Sequence, residues 1–91
     1  MERISPLRRK VDEIDEEILY FLKERVELCK SIGAIKREHG IPIRDYQRED
    51  EVYRNILRKA SELELNPQEV KAIYQEIIVM SARAQESDTK T

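Results

Sequence analysis

Residues 4–36 read ISPLRRKVDEIDEEILYFLKERVELCKSIGAIK, and the spacing of their apolar positions decides the fold. Those positions fall at Ile4, Leu7, Val11, Ile14, Ile18 and Phe21, skip at Arg25, and resume at Leu28, Ile32 and Ile35. Steps that alternate between three and four residues predict one continuous helix carrying a single apolar stripe. No proline or glycine falls between Leu7 and Ile32 to interrupt it. At ~1.5 Å rise per residue the helix would be roughly 50 Å long, whereas a compact chain of this size has a radius of gyration of about 12 Å. The stripe outruns anything the same chain can lay over it. An obligate oligomer is therefore expected, most simply a two-fold dimer. Arg25 stands in the seam where leucine or isoleucine belongs, so an anion is expected to meet it there.

Composition supports a helical domain and narrows its partners. A chain of 91 residues makes one domain, near the low end of what burial alone can stabilise, and association would supply the missing core. Lys plus Arg (17) nearly balance Asp plus Glu (19), which suits salt-bridged helix surfaces and argues against a nucleic-acid footprint with its one-sided basic excess. Two glycines, three prolines and one phenylalanine leave little material for turns or a sheet core, so the protein should be all-α. The single cysteine, Cys29, cannot close an internal disulfide and needs no oxidising compartment. It lies at helical spacing with Leu22 and Val26 and reads as a small core residue. The first residues, MERISPLRRK, contain no apolar signal region, and no run is long enough to span a membrane. A cytoplasmic protein is expected.

Helix boundaries are marked by local chemistry. Ser5-Pro6 suits an N-cap followed by the first helical position, and His39-Gly40 followed by Pro42 suits an exit. His39, the only histidine, has no carboxylate or nucleophile at helical spacing on its face, so it is read as a group near a helix C-terminus. Asp45 is the expected N-cap of a second helix running to about Leu63, with Val52, Tyr53, Ile56, Leu57, Ala60 and Leu63 inward. Arg48 and Glu49 continue that stripe with charge, either as site residues or as a first-turn salt-bridge pair. Asn66-Pro67-Gln68-Glu69 opens a third helix, close to a capping box, with Val70, Ile73, Tyr74, Ile77 and Ile78 on its buried face. Ser81 and Gln85 prolong the same stripe in hydroxyl and amide, which fits either a site or a fraying helix end. The polar tail, 87–91, is expected to be disordered, leaving 1–86 as the domain.

The polar residues that intrude on apolar stripes are Arg25, Lys36, Arg48, Glu49, Ser81 and Gln85. Arg25 and Lys36 differ by only ~20° in direction and by ~16 Å along the axis, so long side chains leaning together can bracket a small anion. Arg8 lies ~25 Å before Arg25 and ~100° around the helix, out of reach of the same ligand within one chain. In a dimer built on this helix it can serve the partner's site. The group contains no nucleophile with an adjacent base, no metal-ligand cluster and no glycine-rich phosphate loop, so neither metal nor cofactor is expected. Asp12, Glu13, Asp15, Glu16 and Glu17 wrap around the helix and read as a solvated face. Such a pocket suits a small polycarboxylate whose reaction is assisted by orientation and electrostatics.

Taken together, LRRKVDEID (7–15), ER (24–25), IK (35–36), PIRDYQRE (42–49) and SARAQ (81–85) resemble the all-helical class of chorismate mutase in its stand-alone, single-domain form. The likeness runs in order over nearly the whole chain. It implies three helices per chain intertwined into a six-helix homodimer with two active sites, each borrowing an arginine from the other chain. It also implies isomerisation of chorismate to prephenate in phenylalanine and tyrosine biosynthesis. By the same resemblance, Arg8 is the arginine lent across the dimer and Arg25 binds a substrate carboxylate. Lys36 and Gln85 are the pair at the ether oxygen, and Glu49 with the backbone at Asp45 meets the ring hydroxyl. Arg48 and Ser81 complete the polar lining, and Ile32, Ile78 and Ala82 form apolar walls. The alternatives are an isochorismate-pyruvate lyase, which shares the fold and the cationic pocket, and a non-catalytic helical dimerisation or regulatory module docking on another shikimate-pathway enzyme. The Asp-x-x-Arg-Glu run favours the mutase branch, and the regulatory module leaves Arg25 unexplained.

Overall fold

Three helices, α1 (Ser5–His39), α2 (Tyr46–Glu62) and α3 (Pro67–Glu86), make up the computed structural model. It describes residues 2–87, and no strand occurs among them. The expected disordered tail lies, apart from Ser87, outside the described residues.

Each helix starts and stops for an identifiable reason. Asp45 adopts an extended backbone and its Oδ1 accepts from the Arg48 N–H at 3.0 Å, capping α2. Asn66 does the same for α3, its Oδ1 accepting from Gln68 N–H at 2.9 Å and Glu69 N–H at 3.1 Å. Each cap satisfies donors that the first turn of a helix leaves without carbonyl partners. α1 differs from expectation: Ile4, not Ser5, occupies the cap position and makes no side-chain cap hydrogen bond. Pro6 permits the earlier start because any of the first-turn N–H groups can be absent without loss. At the other end Gly40 takes the left-handed conformation (φ 66°), and the following Ile41 N–H returns to the Lys36 carbonyl at 2.8 Å. Only glycine enters that region without a side-chain penalty.

α3 is the middle element, packed against α1 and against α2. The residues buried where the helices meet are Cys29 and Gly33 of α1, Ala60 of α2, and Ile78, Ala82 and Ala84 of α3. Most are small, so the backbones approach closely but little apolar area is removed from water. Cys29 is the core residue its spacing predicts.

The long helix is left bare along its first half. Every residue from 2 to 21 is exposed, including Leu7 at 61% and Phe21 at 67%. The longest dimension is 56 Å and the radius of gyration 16.6 Å, well above the ~12 Å of a compact chain this size. Leu63 and Ile73, placed on inward faces by periodicity, are 59% and 60% exposed in the single chain. Periodicity identifies the apolar face of a helix but not which neighbour covers it. Among the described residues, no helix is long and apolar enough to cross a membrane.

Candidate active site

The second half of α1, the 40–45 connection with the first turns of α2, and the last turns of α3 enclose a pocket of about 260 Å³. The stripe interruptions meet there. Arg25, Lys36, Asp45, Arg48, Glu49, Ser81 and Gln85 all line it, and Ile32, Ile78 and Ala82 form apolar wall. α1 can contribute both cations because Arg25 and Lys36 lie on one face of an unbroken helix.

Hydrogen bonds between distant segments hold these groups. Lys36 Nζ donates to the Ile43 carbonyl and to Gln85 Oε1, each at 2.7 Å. Two of the three ammonium hydrogens are thereby used, leaving one for a ligand. With Oε1 engaged by Lys36, the Gln85 amide keeps its N–H donors available. Arg25 Nη1 donates to Ser81 Oγ, while Ser81 Oγ donates to the Ile77 carbonyl at 2.8 Å. The serine is thus an acceptor toward Arg25 and not a nucleophile with a nearby base. These bonds require an ordered α3 terminus, which removes the fraying-end explanation of Ser81 and Gln85.

Glu49 and Arg48 do not form the first-turn pair considered from the sequence. Glu49 receives a two-pronged hydrogen bond from Arg44, Nε to Oε2 and Nη2 to Oε1, both at 2.7 Å. Arg48 instead reaches Glu51 at 3.1 Å. Arg44 also lies 5.0 Å from the centroid of the Tyr46 ring. Its guanidinium is held above its ordinary pKa chiefly by the hydrogen bond to Glu49, so it stays charged at any ordinary pH.

Arg8 is absent from this pocket and exposed on the bare half of α1. Three contributors escaped the sequence reading. Arg44, just ahead of the Asp45 cap, grips Glu49 and lines the pocket. Arg37 Nη1 donates to the Gln85 carbonyl at 2.8 Å. Gly33 lies directly against Gln85, where a Cβ would come 2.1 Å from its carbonyl oxygen. A lone glycine inside a long helix was the available signal for Gly33, since helix propensity disfavours it without a packing reason.

Cations, two carboxylates, a hydroxyl and an amide surround a cleft with apolar walls. The family model described as chorismate mutase type II matches residues 7–86. The chain belongs to this family. A bifunctional chorismate mutase/prephenate dehydratase of Aquifex aeolicus is 46% identical over 81 residues, covering 86% of this chain and 22% of that protein. A chorismate mutase of Methanocaldococcus jannaschii is 40% identical over 62 residues, covering 68% of this chain and 63% of its own length. The chain thus spans less than two thirds of either curated relative. A solved structure of a conserved hypothetical protein from Pyrococcus furiosus is 34% identical with a TM-score of 0.73, covering 93% of this chain and 97% of that one. The all-helical chorismate mutase type II domain is therefore present over nearly the entire chain.

Proposed function

We propose that the protein is a chorismate mutase, converting chorismate to prephenate without metal or cofactor. The observation that carries this reading is the Lys36–Gln85 hydrogen bond at the end of a pocket whose other cation, Arg25, sits on the same face of α1. The rearrangement breaks a carbon–oxygen bond and forms a carbon–carbon bond within one molecule, and no proton has to move. A catalyst must fold the dianion into a pseudo-diaxial shape and stabilise the negative charge that grows on the ether oxygen. Arg25 and Arg8 of the partner subunit hold the carboxylates, since guanidinium groups match them in two-pronged geometry. Lys36 and the Gln85 amide donate to the ether oxygen. Glu49, steadied by Arg44, and the backbone at Asp45 take the ring hydroxyl, and Arg48 and Ser81 complete the polar wall. A preorganised donor of this type contributes on the order of 10² to 10³ in rate.

The working unit in this proposal is an intertwined six-helix homodimer. What supports it is the bare apolar face of α1 over residues 5–21, together with the exposure of Leu63 and Ile73. A solvent-facing stripe of that length is unstable in a monomer. The fusion of this domain to a prephenate dehydratase in the Aquifex aeolicus relative supports association with another enzyme of the same pathway.

The test is incubation with chorismate and, separately, isochorismate, following chorismate loss, prephenate, salicylate and pyruvate. Prephenate from chorismate is the expected result. Salicylate and pyruvate from isochorismate without any prephenate would establish the lyase reading, and inertness toward both would establish the non-catalytic module.

A further inference from the structure

Gln85 is gripped from one turn of α1. Gly33, Lys36 and Arg37 stand at i, i+3 and i+4, which is a single helical face. Lys36 takes the side-chain oxygen at 2.7 Å and Arg37 takes the backbone carbonyl at 2.8 Å. That carbonyl is in the last turn of α3, where a helix lacks its own N–H partners, so the guanidinium supplies one. Gly33 makes the approach possible: a Cβ there would fall 2.1 Å from the Gln85 oxygen, 2.6 Å from its Cα and 2.7 Å from its carbonyl carbon. The obstructing atoms are backbone, which cannot rotate aside. Glycine is a poor helix former, so its place in the interior of α1 answers to this contact and not to helix stability.

We propose that Gly33 and Arg37 are positioning residues that set the place of the Gln85 amide, and through it the donor aimed at the reacting oxygen. Neither touches the ligand. Gly33 fixes how near the end of α3 lies to α1, and Arg37 fixes where along α1 it rests. The proposal rests on the reading of Gln85 as a site residue, so its test carries one readout that needs no substrate.

Gly33→Ala, Arg37→Ala, Arg37→Lys and Gln85→Ala are made singly, and the first two are also combined with Gln85→Ala. Steady-state kinetics on chorismate are paired with NMR of the side-chain amide of Gln85, assigned by its loss in Gln85→Ala. Gly33→Ala should lower kcat by about 10²-fold, the usual consequence of an ångström-scale misplacement, with KM changed far less. Arg37→Ala should lower it within about tenfold, and Arg37→Lys should restore part of the loss. Both alanine variants should shift the amide resonance, and neither should lower kcat further in the Gln85→Ala background. Losses that multiply in that background, or an amide resonance unmoved in both variants, would overturn the proposal. If Gly33→Ala fails to fold by circular dichroism, the Arg37 variants decide by the same criteria. An inactive parent whose amide resonance still moves in the variants would count against the functional reading and uphold the positioning role.

Discussion

Lys36 Nζ lies 2.7 Å from Gln85 Oε1, a charge-assisted hydrogen bond that joins the last turns of α1 and α3. The bond orients both partners. The amide oxygen, which would repel a developing oxyanion, is occupied by the ammonium, and the amide N–H groups are left to donate.

Replacing the amide by a carboxyl reverses that arrangement. Gln85→Glu should keep the fold, yet at neutral and alkaline pH lose on the order of 10² to 10³ in kcat/KM, because an ionised carboxylate cannot donate and repels the ether oxygen. Activity should return as pH falls and the introduced carboxyl protonates. Lys36 and Arg25 nearby should depress its pKa below the usual ~4.3, so recovery belongs to strongly acidic buffer. A pH profile beside circular dichroism checks this. Parent-like activity in mildly alkaline buffer would remove Gln85 from the site.

Arg44 should matter through Glu49. Arg44→Ala leaves that carboxylate unneutralised at the edge of a pocket proposed to hold an anion, and KM for chorismate should rise by about tenfold. Arg44→Lys should recover only part, since an ammonium restores charge but not the two-pronged grip. The hydrogen bond to Glu49 raises the Arg44 pKa, so its contribution to stability is present below its unfolded value and lost only above the raised folded one. Both lie at extreme alkaline pH. Stability between pH 6 and 9 should therefore show no pH dependence traceable to Arg44, which urea unfolding of parent and variant can compare.

Glu64 adopts φ 60° in the turn between α2 and α3, a left-handed conformation that costs a residue bearing a side chain. Glu64→Gly should raise stability by about 0.5 kcal/mol, and Glu64→Val should lower it by about 1 kcal/mol or more. Urea midpoints at equal protein concentration read the difference, and kcat should not change because Glu64 lies outside the pocket lining.

The bare half of α1 predicts a dimer at micromolar concentration. Sedimentation equilibrium should return twice the chain mass of 10.8 kDa. A folded, monodisperse monomer would contradict the shared-site account.

Much of this architecture is legible in the chain itself, because its signals are local. Asp45 and Asn66-Pro67 announce helix starts by satisfying nearby N–H groups. Arg25, Lys36, Ser81 and Gln85, which line one pocket, stand out by breaking apolar stripes at helical spacing. What escaped depends on how distant segments meet. Gly33 matters only because the Gln85 backbone rests on it, and Arg44 only because a loop folds back to Glu49. Leu63 and Ile73 show the same limit from the other side: their period makes them apolar-facing, but among the described residues they stay more than half exposed.

If Arg8 of the partner subunit completes each proposed site, two inactive variants should rescue one another when mixed. Arg8→Ala and Arg25→Ala should each be nearly inactive as homodimers. After subunit exchange, demonstrated by mass spectrometry of tagged chains, a heterodimer carries one site with both defects and one with neither. Random exchange of equal amounts places half the chains in heterodimers, and the account predicts recovery of about a quarter of parental activity. No recovery despite proven exchange would place both arginines in one chain's site and contradict the account.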